Sequence, residues 1–155
     1  MKINWKKLIT AVIIPLLVGG LSALLSMGGM REFENITKPP LSPPGWLFPV
    51  VWTILYILMG IASYIISESE LAFRKTTALW VYLIQLFFNF FWSIIFFGFG
   101  WYLFAFIWLL ILWLLILLTT VLFYRISKPA GLLMIPYLLW VTFAGYLNFA
   151  IFLLN

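Results

Sequence analysis

The sequence contains no cysteine and no histidine. Without cysteine there is no disulfide, no thiolate nucleophile and no thiolate metal ligand. Without histidine the commonest general base, the commonest transition-metal ligand and the usual axial ligand of haem are missing as well. Acids are scarce, with four Asp and Glu against nine Lys and Arg in 155 residues, for a net charge of +5. Carboxylate-based hydrolytic or metal chemistry therefore has almost nothing to draw on, and neither a metal site nor a bound cofactor is expected. No Asp, Glu, Lys or Arg falls in the interior of any long apolar run. Ion-coupled transporters, proton relays and voltage sensors place ionisable groups there, so the absence argues against active, ion-driven transport. Passive binding, facilitated passage or chemistry on an apolar ligand remains.

What is present is apolar. Two thirds of the residues are hydrophobic and the mean hydropathy is +1.17. A water-soluble fold of this size leaves too much of its area exposed to hide such a surface. Runs near 20 residues, long enough to cross the hydrocarbon core, are predicted at 5–27, 46–66, 78–97, 101–124 and 130–153. The expected fold is an all-α integral membrane protein, with residues 1–155 forming a single five-helix transmembrane domain. Loops are predicted at 28–45, 67–75 and 125–131, with a tight Gly98–Gly100 turn between the third and fourth spans.

The basic residues fit this scheme as flanks of membrane spans rather than as a nucleic-acid surface, and no nucleic-acid partner is expected. Lys2, Lys6, Lys7, Arg74, Lys75, Arg125 and Lys128 fall on one side, and only Arg31 and Lys38 on the other. The positive-inside rule then predicts a multi-pass cell-membrane protein with a cytoplasmic N-terminus. The C-terminus and the first loop would lie on the outer side.

Polar residues within the spans form three stripes. Gln85 and Asn89 are four apart in the third span, with Trp92 and Ser93 a turn further on, and so share a helical face. An amide in hydrocarbon must be satisfied, either by hydrogen bonding to a neighbouring helix or by a ligand. In the fifth span, Tyr137, Trp140, Ala144 and Asn148 follow one another at helical steps, and in the second Pro49, Trp52, Tyr56 and Ser63 do the same. Three such stripes suggest one shared aromatic cavity with a few fixed polar groups, the usual form of a small-molecule site. The fourth span, apolar until Thr119, reads as a lipid-facing wall with Trp101 and Tyr124 as interfacial anchors. Gly19, Gly20, Ser22, Ala23 and Ser26 of the first span read as a close-packing surface.

Three segments carry a resemblance: KPPLSPPGWLFPVVWTILY (38–56), QLFFNFFWSIIFFG (85–98) and PYLLWVTFAGYLNF (136–149). In type, order and spacing they resemble the TspO/MBR family, the translocator or tryptophan-rich sensory proteins also described as peripheral-type benzodiazepine receptors. The resemblance covers essentially the whole chain. It implies a five-helix bundle whose pocket is closed by the Pro-rich first loop acting as a lid, often in a homodimer. The implied ligands are porphyrins such as protoporphyrin IX and benzodiazepine-like drugs.

Carried over position by position, the resemblance adds Phe48 and Leu147 to the site and assigns ligand contact to Pro49, Trp52, Gln85, Asn89, Trp140 and Ala144. With Tyr56, Trp92 and Asn148 from the stripes, these make the candidate site. Without His or Cys, a bound porphyrin would be metal-free or not axially ligated. The family is also associated with light- and oxygen-dependent breakdown of protoporphyrin IX, and in that case Trp52 and Trp140 would be the catalytic, redox-active or shielding residues. Two positions depart from the family. Leu41 stands where the first loop commonly has Trp, and no cation follows Tyr146 at the end of the fifth span, so the sterol-recognition motif of eukaryotic members is absent there.

Overall fold

The computed structural model describes residues 2–155. Its helices are α1 (Trp5–Phe33), α2 (Leu47–Ser67), α3 (Ala72–Ser93), α4 (Tyr102–Ile126) and α5 (Lys128–Leu154), and α3 runs on into one turn of π-helix over Ile94–Gly98. Counting the π-turn with α3, all five are long and apolar enough to cross a membrane. The described residues form no strand. This is a multi-pass, all-α membrane protein.

The helices outrun the apolar segments that announce them. Apolarity marks the membrane-embedded part of a helix, not its ends. Thus α3 begins at Ala72 and carries Arg74, Lys75, Thr76 and Thr77 as a polar first stretch. The connection expected at 125–131 contracts to Ser127 alone, extended at φ −147° and ψ 118°. Lys128 and Pro129 follow as the first positions of α5, where a missing N–H costs nothing. Similarly, α1 continues past residue 27 to Phe33 although Gly28 and Gly29 disfavour helix. Tertiary contact overrides propensity here, because Gly29 lies against the backbone of Phe97 in the π-turn with no room for a Cβ.

In lipid the hydrophobic effect does not drive helices together, so close packing and interhelical hydrogen bonds must. The two most apolar helices show it differently from expectation. α4 is not simply an outer wall: Ala105, Leu109, Leu112, Ile116, Thr119 and Phe123 are buried, while Leu103, Ile107, Leu110, Leu114 and Leu118 face outward. The helix with least buried surface is α1, where only Pro15, Ser22 and Ser26 are buried.

The course of α1 sets the site. At its N-terminal end it lies on α2: a Cβ on Gly60 would sit 2.6 Å from Val12 Cα. There the Asn4 amide donates to Tyr64 Oη at 2.8 Å, and Lys7 pairs with Glu68 at 3.2 Å. Further along, α1 changes partner. Ser22 Oγ donates to the Phe90 carbonyl at 2.6 Å, and Gly29 meets Phe97 of the π-turn. α1 and α2 therefore part company beyond Gly19, whose missing side chain admits the Tyr56 ring. A wedge opens between them toward the end of the bundle that carries the Pro-rich loop.

That loop, residues 34–46, is tied to α5. The Asn155 side chain accepts from the Thr37 amide (3.2 Å) and donates to the Thr37 carbonyl (2.9 Å). Tyr146 Oη donates to the Pro40 carbonyl at 2.8 Å, and Ser42 Oγ to that of Pro39 at 2.8 Å. Between these ties Leu41 adopts φ 69°, a left-handed conformation that costs an ordinary residue about 1–2 kcal/mol.

Candidate functional site

The wedge encloses a cavity of about 620 Å³. Leu16, Gly19, Gly20, Ala23, Met30 and Phe33 of α1 form one wall. Phe48, Pro49, Trp52, Thr53 and Tyr56 of α2 face them, and Trp92, Ser93 and Phe97 contribute from α3 and its π-turn. Trp140 and Ala144 of α5 complete the lining, with Glu34, Gly45 and Trp46 at the loop end. Glu34 is the one charged side chain among them, and it stands at the mouth.

Seven of the eleven residues expected from the sequence line this cavity: Phe48, Pro49, Trp52, Tyr56, Trp92, Trp140 and Ala144. Leu147 and Asn148 line instead a small adjoining space of about 20 Å³, which shares Phe33, Phe48, Trp92, Phe97 and Ala144 with the large one. That is room for about one water. Gln85 and Asn89 line neither.

Their amides are engaged elsewhere. Tyr56 Oη donates to Asn89 Oδ1 (2.7 Å), Asn89 Nδ2 donates to Tyr137 Oη (2.8 Å), and Tyr137 Oη donates to Gln85 Oε1 (2.7 Å). Gln85 Nε2 ends the chain against Met59 Sδ at 4.0 Å. All five residues are buried. The chain joins α2, α3 and α5 behind the cavity wall, so of the two uses open to these amides the structure shows interhelical bonding. Asn148 is similar: it accepts from Trp92 Nε1 (3.1 Å) and donates to the Tyr102 carbonyl (2.8 Å), linking α3, α5 and the start of α4.

The network reaches the cavity through Tyr56. Its ring stacks on Trp52 with centroids 5.6 Å apart and planes at 27°, and Tyr137 meets Trp52 edge-on at 6.1 Å. On the opposite side Phe48 packs edge-on against Trp140 at 6.0 Å. These rings are fixed from behind, so the cavity offers flat aromatic faces in set orientations.

One indole nitrogen in this wall is both buried and unpartnered. The indole N–H groups of Trp92, Trp108 and Trp113 each donate to a protein acceptor, at 3.1, 2.7 and 2.8 Å. Trp140 Nε1 is buried and has no partner among the described residues. A buried donor without a partner is costly and uncommon.

Sequence reasoning missed the α1 wall and Phe97. The signal for the former was available in the Gly19, Gly20 and Ala23 cluster, which reads as a helix-packing surface and serves in part as one, at Tyr56. Nothing in the sequence announces the π-turn that brings Phe97 to the cavity.

Fold and cavity together define a class: a multi-pass helical membrane protein with an aromatic chamber between its helices, polar at only a few points. Within that class, the sequence matches the TspO/MBR family over residues 11–154, and the chain belongs to that family. It is 44% identical over 124 residues to a tryptophan-rich protein TspO of Chlorobaculum tepidum, covering 79% of this chain and 78% of that one. A protein of the same name from Archaeoglobus fulgidus is 37% identical over 153 residues, covering 98% and 99%. The translocator protein of Bos taurus is 35% identical over 151 residues, covering 94% and 88%.

Proposed function

We propose that this protein is a membrane receptor or translocator for porphyrins, protoporphyrin IX among them, and for other planar apolar ligands, held in the wedge cavity. The unpartnered Trp140 Nε1 carries this reading. It is a buried donor that no group among the described residues satisfies, on a ring that lines the chamber, and a ligand carbonyl or carboxylate reaching it would satisfy it. The size supports it, since ligand cavities run from about 300 to 1,000 Å³, and the Trp52, Phe48 and Trp140 rings suit a flat conjugated face. Phe48, Pro49, Trp52, Tyr56, Trp92, Trp140 and Ala144 are the contact residues in this reading. Gln85, Asn89 and Asn148 hold them in place, and Leu147 borders the small annex. The Pro-rich loop covers one end of the cavity as a fixed lid, the N-terminus is cytoplasmic, and the working form is a homodimer.

The test is titration of the protein in nanodiscs with protoporphyrin IX in the dark, read by tryptophan quenching. Saturable binding that weakens about fivefold in Trp140→Phe is expected, the loss of one hydrogen bond near 1 kcal/mol. Only non-saturable, lipid-like partitioning would sink the reading. A second reading, photo-oxidative breakdown of the porphyrin with light and dioxygen as co-reactants, draws support from Trp52 and Trp140 lining one cavity. Illumination of the same samples separates the two. A new absorbing product formed by the wild type and lost in Trp52→Phe or Trp140→Phe, with dark binding retained, favours the enzyme.

A further inference from the structure

We infer that the cavity is open sideways to the bilayer between α1 and α2, and that apolar ligands enter and leave through this gap from the lipid rather than past the Pro-rich loop. The inference rests on the ligand-binding reading above and adds the route. Residues that line a chamber entered only at its loop end should be hidden from outside. Gly20 and Ala23 of α1, and Pro49 and Thr53 of α2, line the cavity and are exposed, whereas Leu16, Gly19, Trp52 and Tyr56 of the same two walls are not. Two facing helices thus each contribute an edge of the same opening.

The depth of that opening decides what lies outside it. At 1.5 Å per residue, Gly20 sits about 20 Å from either end of α1 and Thr53 about 9 Å inside the start of α2, so the opening runs from the middle of the membrane toward the loop end. The rim is apolar in function as well as composition, because its one hydroxyl, Thr53 Oγ1, is turned back onto the Pro49 carbonyl at 2.6 Å. Next to it Leu17 and Leu24 of α1 and Val50 and Ile54 of α2 face outward. An unbroken apolar surface therefore runs from the lipid into the aromatic chamber. The loop end is the reverse: Glu34 stands at the mouth, and the loop is tied down at Thr37 and Pro40. An apolar ligand dissolved in the bilayer meets no charged group on the side path.

The cause is the change of partner by α1. Close contact with α2 at Gly60 and Gly19 gives way to contact with the π-turn at Gly29, so the gap is built into the packing and needs no helix to move.

Two measurements test it. Gly20→Leu and Ala23→Leu narrow the gap. Gly20 has open space around it, with nothing within 4 Å of an added Cβ, and leucine is the better helix former, so folding is retained. Stopped-flow quenching with protoporphyrin IX in nanodiscs should show association and dissociation both slowed about tenfold, because a narrowed door hinders passage in both directions. Rates within twofold of wild type, or faster dissociation at unchanged association, would overturn the route. So would faster association in Asn155→Ala, which loosens the loop.

The second measurement needs no ligand. Thr53→Cys gives a single thiol in a chain that has none, and a nitroxide there is probed with dissolved oxygen and a water-soluble nickel chelate. Oxygen collisions should dominate, and dominance of the nickel chelate would overturn the gap. If the wild type shows no saturable porphyrin binding, the ligand reading fails by itself, and the label still decides whether the gap exists.

Discussion

At the end carrying the N-terminus, α1 and α2 meet backbone to backbone at Val12 and Gly60, with an amide–hydroxyl bond and an ion pair beside the contact. Past Gly19 the same two helices separate around a chamber of about 620 Å³. Hydropathy does not distinguish the two halves, since both are lined by small and apolar residues. The difference lies in what a small residue is set against. Opposite a backbone, Gly60 closes the seam; opposite open space, Gly20 frames a gap. Small residues in a membrane helix thus have no fixed meaning until the neighbouring helix is placed.

The comparison can be broken most severely at its closed end. Gly60→Leu puts side-chain atoms where Val12 and the Ala11 carbonyl already lie, and such overpacking costs about 3 kcal/mol. Thermal unfolding in detergent should fall far more for Gly60→Leu than for Gly20→Leu. Equal losses would mean that the seam is not closed as described. Next in size is Tyr137→Phe, which removes a hydroxyl from the middle of the buried chain and strands Asn89 Nδ2 and Gln85 Oε1. A loss of about 1–3 kcal/mol is expected, with weaker ligand binding as Tyr56 and Trp52 lose their backing. Unfolding and porphyrin titration on one preparation would show both.

A smaller effect, in binding rather than stability, belongs to the open half. Trp140→Phe breaks no protein hydrogen bond, so the unfolding temperature should move little while porphyrin affinity falls about fivefold. A variant that lost stability instead would place the indole N–H in the scaffold. Smallest of all is Lys7→Ala at the closed end. The Lys7 side chain of the pair is largely exposed, and such a pair contributes less than about 1 kcal/mol, vanishing at high salt. Unfolding at low and high salt should differ between wild type and variant by no more than that.

The number of helices and much of the aromatic lining were legible in the sequence because each rests on a periodic or local signal. Apolar runs of sufficient length count the spans, and stripes at 3- and 4-residue steps placed Trp52, Tyr56, Trp92, Trp140 and Ala144 on faces that converge. Gln85 and Asn89 show where that reasoning ends. Their spacing put them on a common face, but whether an amide faces a ligand or another amide depends on Tyr137 and Tyr56, which lie on other helices. The α1 wall escaped for a related reason, since glycine and alanine carry no polar or aromatic mark. The ends of α1 and α3 lay outside the reach of hydropathy, because Arg74 and Lys75 are helical without being membrane-embedded. The π-turn is a local irregularity of backbone bonding, and Phe97 reached the cavity only through it.

The ties on the Pro-rich loop also bear on the order in which the molecule is made. Thr37 is bracketed by a residue 118 positions later in the chain, and Pro40 by one 106 positions later. During synthesis α1 and α2 can seal their common end as soon as both have left the ribosome. The loop between them must then wait, untied, through the insertion of three more helices. The chamber is therefore walled from one side early and furnished with its fixed rim only when α5 arrives. A nascent chain stalled before Tyr146 would carry a closed seam and an unfastened mouth.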